Sequence, residues 1–213
     1  MESNNNTSCP LCACSDFQEI QTGFFDCSLC RGIFRDRHAL LDPQQEKARY
    51  ETHNNDVFDP RYRNFVSPIT SAVMSDFAPD SGIGLDFGAG TGPVISRVLE
   101  ENGYAIKQYD PFFHNHSELL EYTYDYIVCC EVIEHFYAPA EEFALLKRLL
   151  KPGAILYCMT HIFTPDMCFE KWSYTNDPTH VFFYRPETLE WIRKHFGFAA
   201  LSIDKRAIKL VNS

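Results

Sequence analysis

Glu131, Glu134, His135 and His180 are residues of the kind that take up protons or bind metal ions, and the first three stand at i, i+3 and i+4. A helix starting at Glu131 would set those three on one face. With His180 they form a two-Glu, two-His set able to hold a divalent ion. Plainer roles also fit: Glu131 can contact a ligand from a strand end, Glu134 and His135 can favour a helix start, and His180 can be a lone base or a satisfied histidine.

A second chemistry lies near the start. Cys9-Pro-Leu-Cys12 and Cys27-Ser-Leu-Cys30 are two Cys-x-x-Cys knuckles fourteen residues apart, with Phe17, Phe24 and Phe25 between them to cover a very small core. Four thiolates can surround one tetrahedral zinc, and so short a segment needs the metal for stability. Cys14 reads as a small apolar residue.

A third lies in Leu85-Asp-Phe-Gly-Ala-Gly-Thr-Gly92, a strand end entering a glycine turn that opens a helix. Gly88, Gly90 and Gly92 let a ligand approach the backbone. A dinucleotide fingerprint would have glycine or alanine three places after Gly90, where Pro93 stands. Proline suits the first turn of a helix, so the turn fits a ligand without a pyrophosphate. Twenty residues after Gly90, Asp110 closes the apolar run Ala105–Tyr109, where an acid can accept both hydroxyls of a ribose.

Four landmarks follow in order: Asp86-x-Gly-x-Gly-x-Gly92, Asp110, Tyr126-Ile-Val-Cys-Cys130 ending in Glu131, and Leu149-Leu-Lys-Pro-Gly153 before Ala154–Met159. Together they resemble class I S-adenosylmethionine-dependent methyltransferases across residues 80–211. The resemblance implies an α/β, Rossmann-like fold, a mostly parallel twisted sheet with helices on both faces. It also implies S-adenosylmethionine as cofactor, held by Asp86, Gly88, Ala89, Gly90, Gly92, Asp110 and Glu131. Glu-x-x-Glu-His with a later histidine before an aromatic is similar to polyprenyl-quinone O-methyltransferases and to enzymes that methylate the terminal 2′-hydroxyl of small RNAs. In the latter group those side chains hold a divalent ion on vicinal hydroxyls, which makes Glu134, His135 and His180 the catalytic candidates here. From Asp59 to Trp191 the chain is most similar to a group of small class I methyltransferases carrying Asp-Pro-Thr-His-Val-x-Phe-Tyr.

The elements that must position these residues divide the chain into a zinc ribbon (1–40), a helical lead-in (41–80) and a methyltransferase domain (81–213). Pro43 and Pro60 start lead-in helices over Gln44–Glu51 and Arg61–Phe77, and Pro79 follows the second. By the resemblance, Tyr50, His53 and Asn54 can face the methionine end of the cofactor; a solvated helix end fits the same residues. Only the fourteen residues Pro111 to Tyr124 precede Asp125, too few for a full helix and a third strand. The family's adenine-contacting acid therefore has only Glu118 or Glu121 as counterpart. Phe143–Leu150 and Pro186–His195 read as amphipathic helices, and Ala200–Ile203 with Ala207–Val211 as a final strand pair. Loops after Cys130 and Met159 should line the acceptor site, with Trp172 and Tyr174 as aromatic walls.

The 213 residues carry a net charge of −10 and are 45% hydrophobic, which suits one α/β domain with a small appendage and argues against a broad basic surface for duplex nucleic acid. No apolar run is long enough to span a bilayer, and Met1–Thr7 has neither the basic start nor the apolar middle of an export signal. A cytoplasmic protein with reduced thiols is expected. The favoured reading is methyl transfer to a hydroxyl or similar nucleophile of a small molecule. The rivals are an RNA methyltransferase guided by the ribbon, similar to ribosomal-RNA guanine methyltransferases with a four-cysteine zinc site, and a non-catalytic zinc-dependent interaction module. Arg31, Arg35, Arg37 and His38 after the ribbon give the RNA reading its basic residues.

Overall fold

Asp-Pro pairs start both lead-in helices. In α1 (Pro43–Glu51) Asp42 accepts from the amides of Gln44 and Gln45, each at 2.9 Å, and the Gln45 side chain accepts from the Asp42 amide. Those bonds satisfy orphan donors of the first turn, while the proline fixes φ. α2 (Pro60–Asp76) begins in the same way behind Asp59. Pro68 interrupts its ladder, and the Asn64 carbonyl accepts instead from the Ser67 hydroxyl at 2.7 Å. The structure is a computed structural model that describes residues 7–52 and 55–213; the expectations for Met1–Asn6, His53 and Asn54 fall outside it.

The larger sheet contains β4 (Ile83–Phe87), β5 (Ala105–Tyr109), β6 (Tyr124–Cys130), β7 (Leu150–Met159), β9 (Phe198–Asp204) and β10 (Ala207–Asn212). Their spatial order is β5-β4-β6-β7-β10-β9. The first four are parallel, and β10 runs antiparallel to both neighbours. No strand lies beyond β5 among the described residues; the segment after Asp110 holds only a single-turn helix at Ser117–Glu121, as its length requires.

Side-chain alternation fills two cores. Tyr126, Val128, Tyr157 and Met159 face α2 and α3 (Val94–Glu101), whereas Ile127, Cys129, Leu156 and Cys158 face α4 (Pro139–Leu149) and α5 (Pro186–His195). This is the two-layered covering that a parallel sheet needs. β7 starts earlier than the sequence suggests. Leu150 already pairs with Tyr124 across a bulge, so Lys151–Gly153 belongs to the strand and Gly153 turns within it at φ +76°.

A smaller antiparallel sheet joins β1 (Phe17–Gln21), β2 (Phe24–Cys27) and β3 (Ile33–Arg35) to β8 (Phe182–Phe183), which comes from far down the chain. Ile33 pairs with Phe183 and Phe34 with Phe182. Gly32 makes this docking possible, since a Cβ there would lie 2.3 Å from the Phe182 ring. The cysteine-bearing segment and the acceptor-side loops therefore share one hydrophobic core.

Candidate functional site

The glycine turn is built against the end of β5. Gly88 and Gly90 take φ +82° and +62°, the left-handed region that suits glycine. The amides of Gly88 and Ala89 donate to the Tyr109 carbonyl at 2.8 and 3.1 Å, and the Gly90 amide donates to Asp110 Oδ2 at 2.9 Å. Asp110 Oδ1 accepts from Phe112 and Phe113. Three donors thus meet a carboxylate with about four lone-pair sites, leaving one for a ligand. Asp86 stands behind the turn, fully buried, and accepts from the Ser96 hydroxyl of α3 at 2.8 Å. Burial pushes its carboxyl up to about 6. Gly92 also serves packing: a Cβ there would lie 1.9 Å from the Asn55 backbone oxygen.

A cavity of about 570 Å³ opens beside this turn, within the span typical of small-molecule sites. Gly88, Ala89, Gly90 and Asp110 line one end; Glu131, His135 and His180 line it too. Asp86, Gly92 and Glu134 stand outside the wall. The aromatic wall includes Tyr50, Tyr62, Phe65, Phe87, Phe112 and Phe113 but not Trp172 or Tyr174. Trp172 packs with Phe163, Phe169 and Phe183 behind the site. Glu118 and Glu121 do not reach the cavity, whereas Glu142 of α4 does.

The loop after β6 differs from the expected helix. Ile133–His135 is a single 3-10 turn, and Glu131 adopts φ +53°, so Glu131, Glu134 and His135 do not share an α-helical face. The Glu131 amide donates to the Met159 carbonyl at 2.7 Å, and its carboxylate pairs with Arg206 from the β9–β10 turn. Glu134, His135 and His180 do converge, with one potential ligand atom from each lying within 4.8 Å of the others.

Glu134 has no solvent exposure. One of its oxygens accepts from the Tyr174 hydroxyl; the other, Oε2, is buried without a hydrogen-bond partner. Desolvation pushes its carboxyl up to about 7, and Glu131 also rises to about 7 through desolvation and the nearby charge of Glu134. His135 Nδ1 sits 2.9 Å from the Thr179 carbonyl and His180 Nδ1 2.7 Å from the Tyr174 carbonyl. A carbonyl only accepts, so Nδ1 carries the proton in both rings and the lone pair of the neutral imidazole lies on Nε2. Burial, then the adjacent His135, lowers His180 to about 4, keeping it neutral at pH 7.

At the N-terminal end, one sulfur from each of Cys9, Cys12, Cys27 and Cys30 lies within 4.8 Å of the others. Cys9 to Cys30 is 3.6 Å and Cys12 to Cys27 is 3.4 Å. Both knuckles turn inward as their spacing predicts, a donor set able to surround one metal ion.

The sheet order, two-sided helical covering and glycine turn define a Rossmann-like methyltransferase fold. Residues 58–203 match the family described as "Methyltransferase domain", and the chain belongs to that family. No curated protein sequence matches the chain. Among solved structures it is similar to an O-methyltransferase family protein from Burkholderia thailandensis at 14% identity and TM-score 0.52, covering 78% of this chain and 61% of that one. It is similar to human N-acetylserotonin methyltransferase in complex with S-adenosylmethionine at 12% identity and TM-score 0.54, covering 71% and 54%. A Haemonchus contortus phosphoethanolamine N-methyltransferase 2, also in complex with S-adenosyl-L-methionine, aligns at 17% identity and TM-score 0.56, covering 81% and 47%. The alignment thus takes in about half to three-fifths of each of those chains, and at these identities the likeness concerns the fold. Among the described residues no helix is long and apolar enough to cross a membrane.

Several wall residues were hidden in the sequence. Asn55 lies beside the Tyr50, His53 and Asn54 that drew attention without having been singled out, and Glu46, Tyr62 and Phe65 sit in the lead-in helices with no motif to mark them. Tyr174 carried an aromatic signal, but its hydroxyl is committed to Glu134 and to Thr160 at 3.1 Å.

Proposed function

We propose that the protein transfers the methyl group of S-adenosylmethionine to a hydroxyl or similar nucleophile of a small-molecule acceptor. When bound, that cofactor supplies a methyl group on a sulfonium centre. The backbone of Gly88, Ala89 and Gly90 would hold it, Asp86 and Gly92 keep the turn in shape, Asp110 would accept from the ribose, and Glu131 would contact it from the end of β6. His180 or His135 takes the acceptor's proton at Nε2, and Glu134 supports the charge that follows. Alignment of nucleophile and methyl group supplies most of the rate.

One observation carries this reading: a single cavity joins the glycine turn and Asp110 to His135 and His180. Its described wall includes the carboxyl groups of Glu46, Asp110, Glu131 and Glu142 but no lysine or arginine. Such a wall suits a small neutral or cationic acceptor and repels a nucleic-acid backbone. A second reading of the acceptor end rests on the unpartnered Glu134 Oε2: with His135 and His180 it supplies the donors for a divalent ion that would lower a hydroxyl pKa. The four N-terminal cysteines hold a structural zinc, forming a ribbon, and their reduced state suits a cytoplasmic location.

Calorimetric titration with S-adenosylhomocysteine tests the cofactor half. Asp110→Ala is expected to weaken binding by about 1–3 kcal/mol, the cost of losing a charged acceptor. It should also lower Tm, because the amides of Gly90, Phe112 and Phe113 lose their partner. Unchanged affinity would assign the ribose to another group.

A further inference from the structure

We infer that Arg35, on the cysteine-bearing segment, is a positioning residue for His180, so that this segment is a working part of the acceptor site. The inference rests on the reading that the acceptor binds beside His180. Arg35 Nε donates to the His180 carbonyl at 3.1 Å, and Nη2 donates to the carbonyls of Thr175 and Asp177, each at 3.0 Å. Its own amide donates to the Val181 carbonyl at 2.9 Å. One planar guanidinium thus collects three carbonyl oxygens of one loop, whose aligned dipoles would otherwise repel one another.

The guanidinium has little freedom to move. It lies 4.7 Å over the Phe24 ring, and the pairing of β3 with β8 fixes the backbone on either side. From the opposite direction Arg49 of α1 donates to Asp177 Oδ2 at 2.6 Å, while Asp177 Oδ1 accepts from the Thr179 amide and hydroxyl. The loop is clamped between the segment and the lead-in helix. The His180 ring takes its direction from this clamp, because Nδ1 is tied to the carbonyl of Tyr174, next to the Thr175 that Arg35 holds. Arg35 does not line the large cavity. Its loss should therefore move the acceptor end and leave the cofactor end in place.

The test uses the full chain loaded with zinc, as Arg35→Met and Arg35→Lys. The readouts are the imidazole NMR signals of His180, assigned with His180→Gln, and S-adenosylhomocysteine affinity by calorimetry. Lysine offers a point charge in place of the fork, so a graded response is expected. In Arg35→Met the His180 signals shift or broaden, in Arg35→Lys they shift less, and cofactor affinity and zinc content match the wild type. With an acceptor in hand, kcat of the methionine variant falls by about 100-fold, the scale of an ångström-sized misplacement, at unchanged KM for the cofactor. His180 signals that coincide with the wild type in the methionine variant would overturn the proposal. If that variant does not fold, the lysine variant decides on the same signals. A His180→Gln protein that turns over at the wild-type rate would defeat the acceptor reading instead, and the ring signals would still judge the positioning role.

Discussion

Glu134→Ala and His180→Ala are each expected to abolish methyl transfer while S-adenosylhomocysteine binds as tightly as to the wild type. The two side chains meet beside His135, and none of them takes part in the hydrogen bonds that shape the glycine turn. A positioned acid or base contributes about 10²–10⁴-fold to a rate, so losing one drives turnover toward background. Glu134 bears the larger risk to folding, since it is buried and bonded to Tyr174. Glu134→Gln keeps the volume and is the control for packing. Magnesium or manganese that raises the wild-type rate would favour the divalent-ion reading of the three ligands; a rate indifferent to both, yet lost in His180→Ala, would make His180 a base or positioning group. Full activity in both alanine variants would remove these residues from the chemistry.

Changing Cys27 and Cys30 together to serine is expected to eliminate a stoichiometric zinc and to unfold more than the first forty residues. Structural zinc in small domains supplies apparent folding free energies on the order of 10 kcal/mol, and strands as short as β2 and β3 have no core of their own apart from the one they share with the acceptor-side loops. The damage should spread, because Phe24, Ile33 and Phe34 cover Phe182, Phe183 and Phe169. The buried Asp26–Arg185 pair also ties β2 to the start of α5. Elemental analysis and thermal unfolding check both parts. Zinc retained in the double variant, or an unchanged Tm, would contradict the zinc site. A chelator is the poorer tool, since it would also reach an ion at Glu134, His135 and His180.

The large sheet was legible because its signals are local: apolar runs end in Asp86, Asp110 and Glu131, and turn residues stand at fixed offsets. The missing strand after Asp110 followed from chain length alone. The β3–β8 pairing was not legible, since a two-residue strand nearly 150 positions from its partner has no periodicity to read. The face assigned to Glu131, Glu134 and His135 failed for a related reason. Spacing fixes a common face only when a full α-helical turn forms, and here Glu131 turns through a left-handed conformation toward Arg206. His180 reached the others through tertiary clamping by Arg35 and Arg49, which sequence spacing does not encode.

The most direct measurement gives the zinc-loaded protein S-adenosylmethionine bearing a deuterated methyl group together with cellular small molecules and cellular RNA, and reads both fractions by mass spectrometry. The expected result is a discrete small molecule that gains the labelled methyl as S-adenosylhomocysteine forms, with neither product in the His180→Ala protein. Label appearing in RNA and in no small molecule, or bound cofactor with no transfer to any acceptor, would contradict the account.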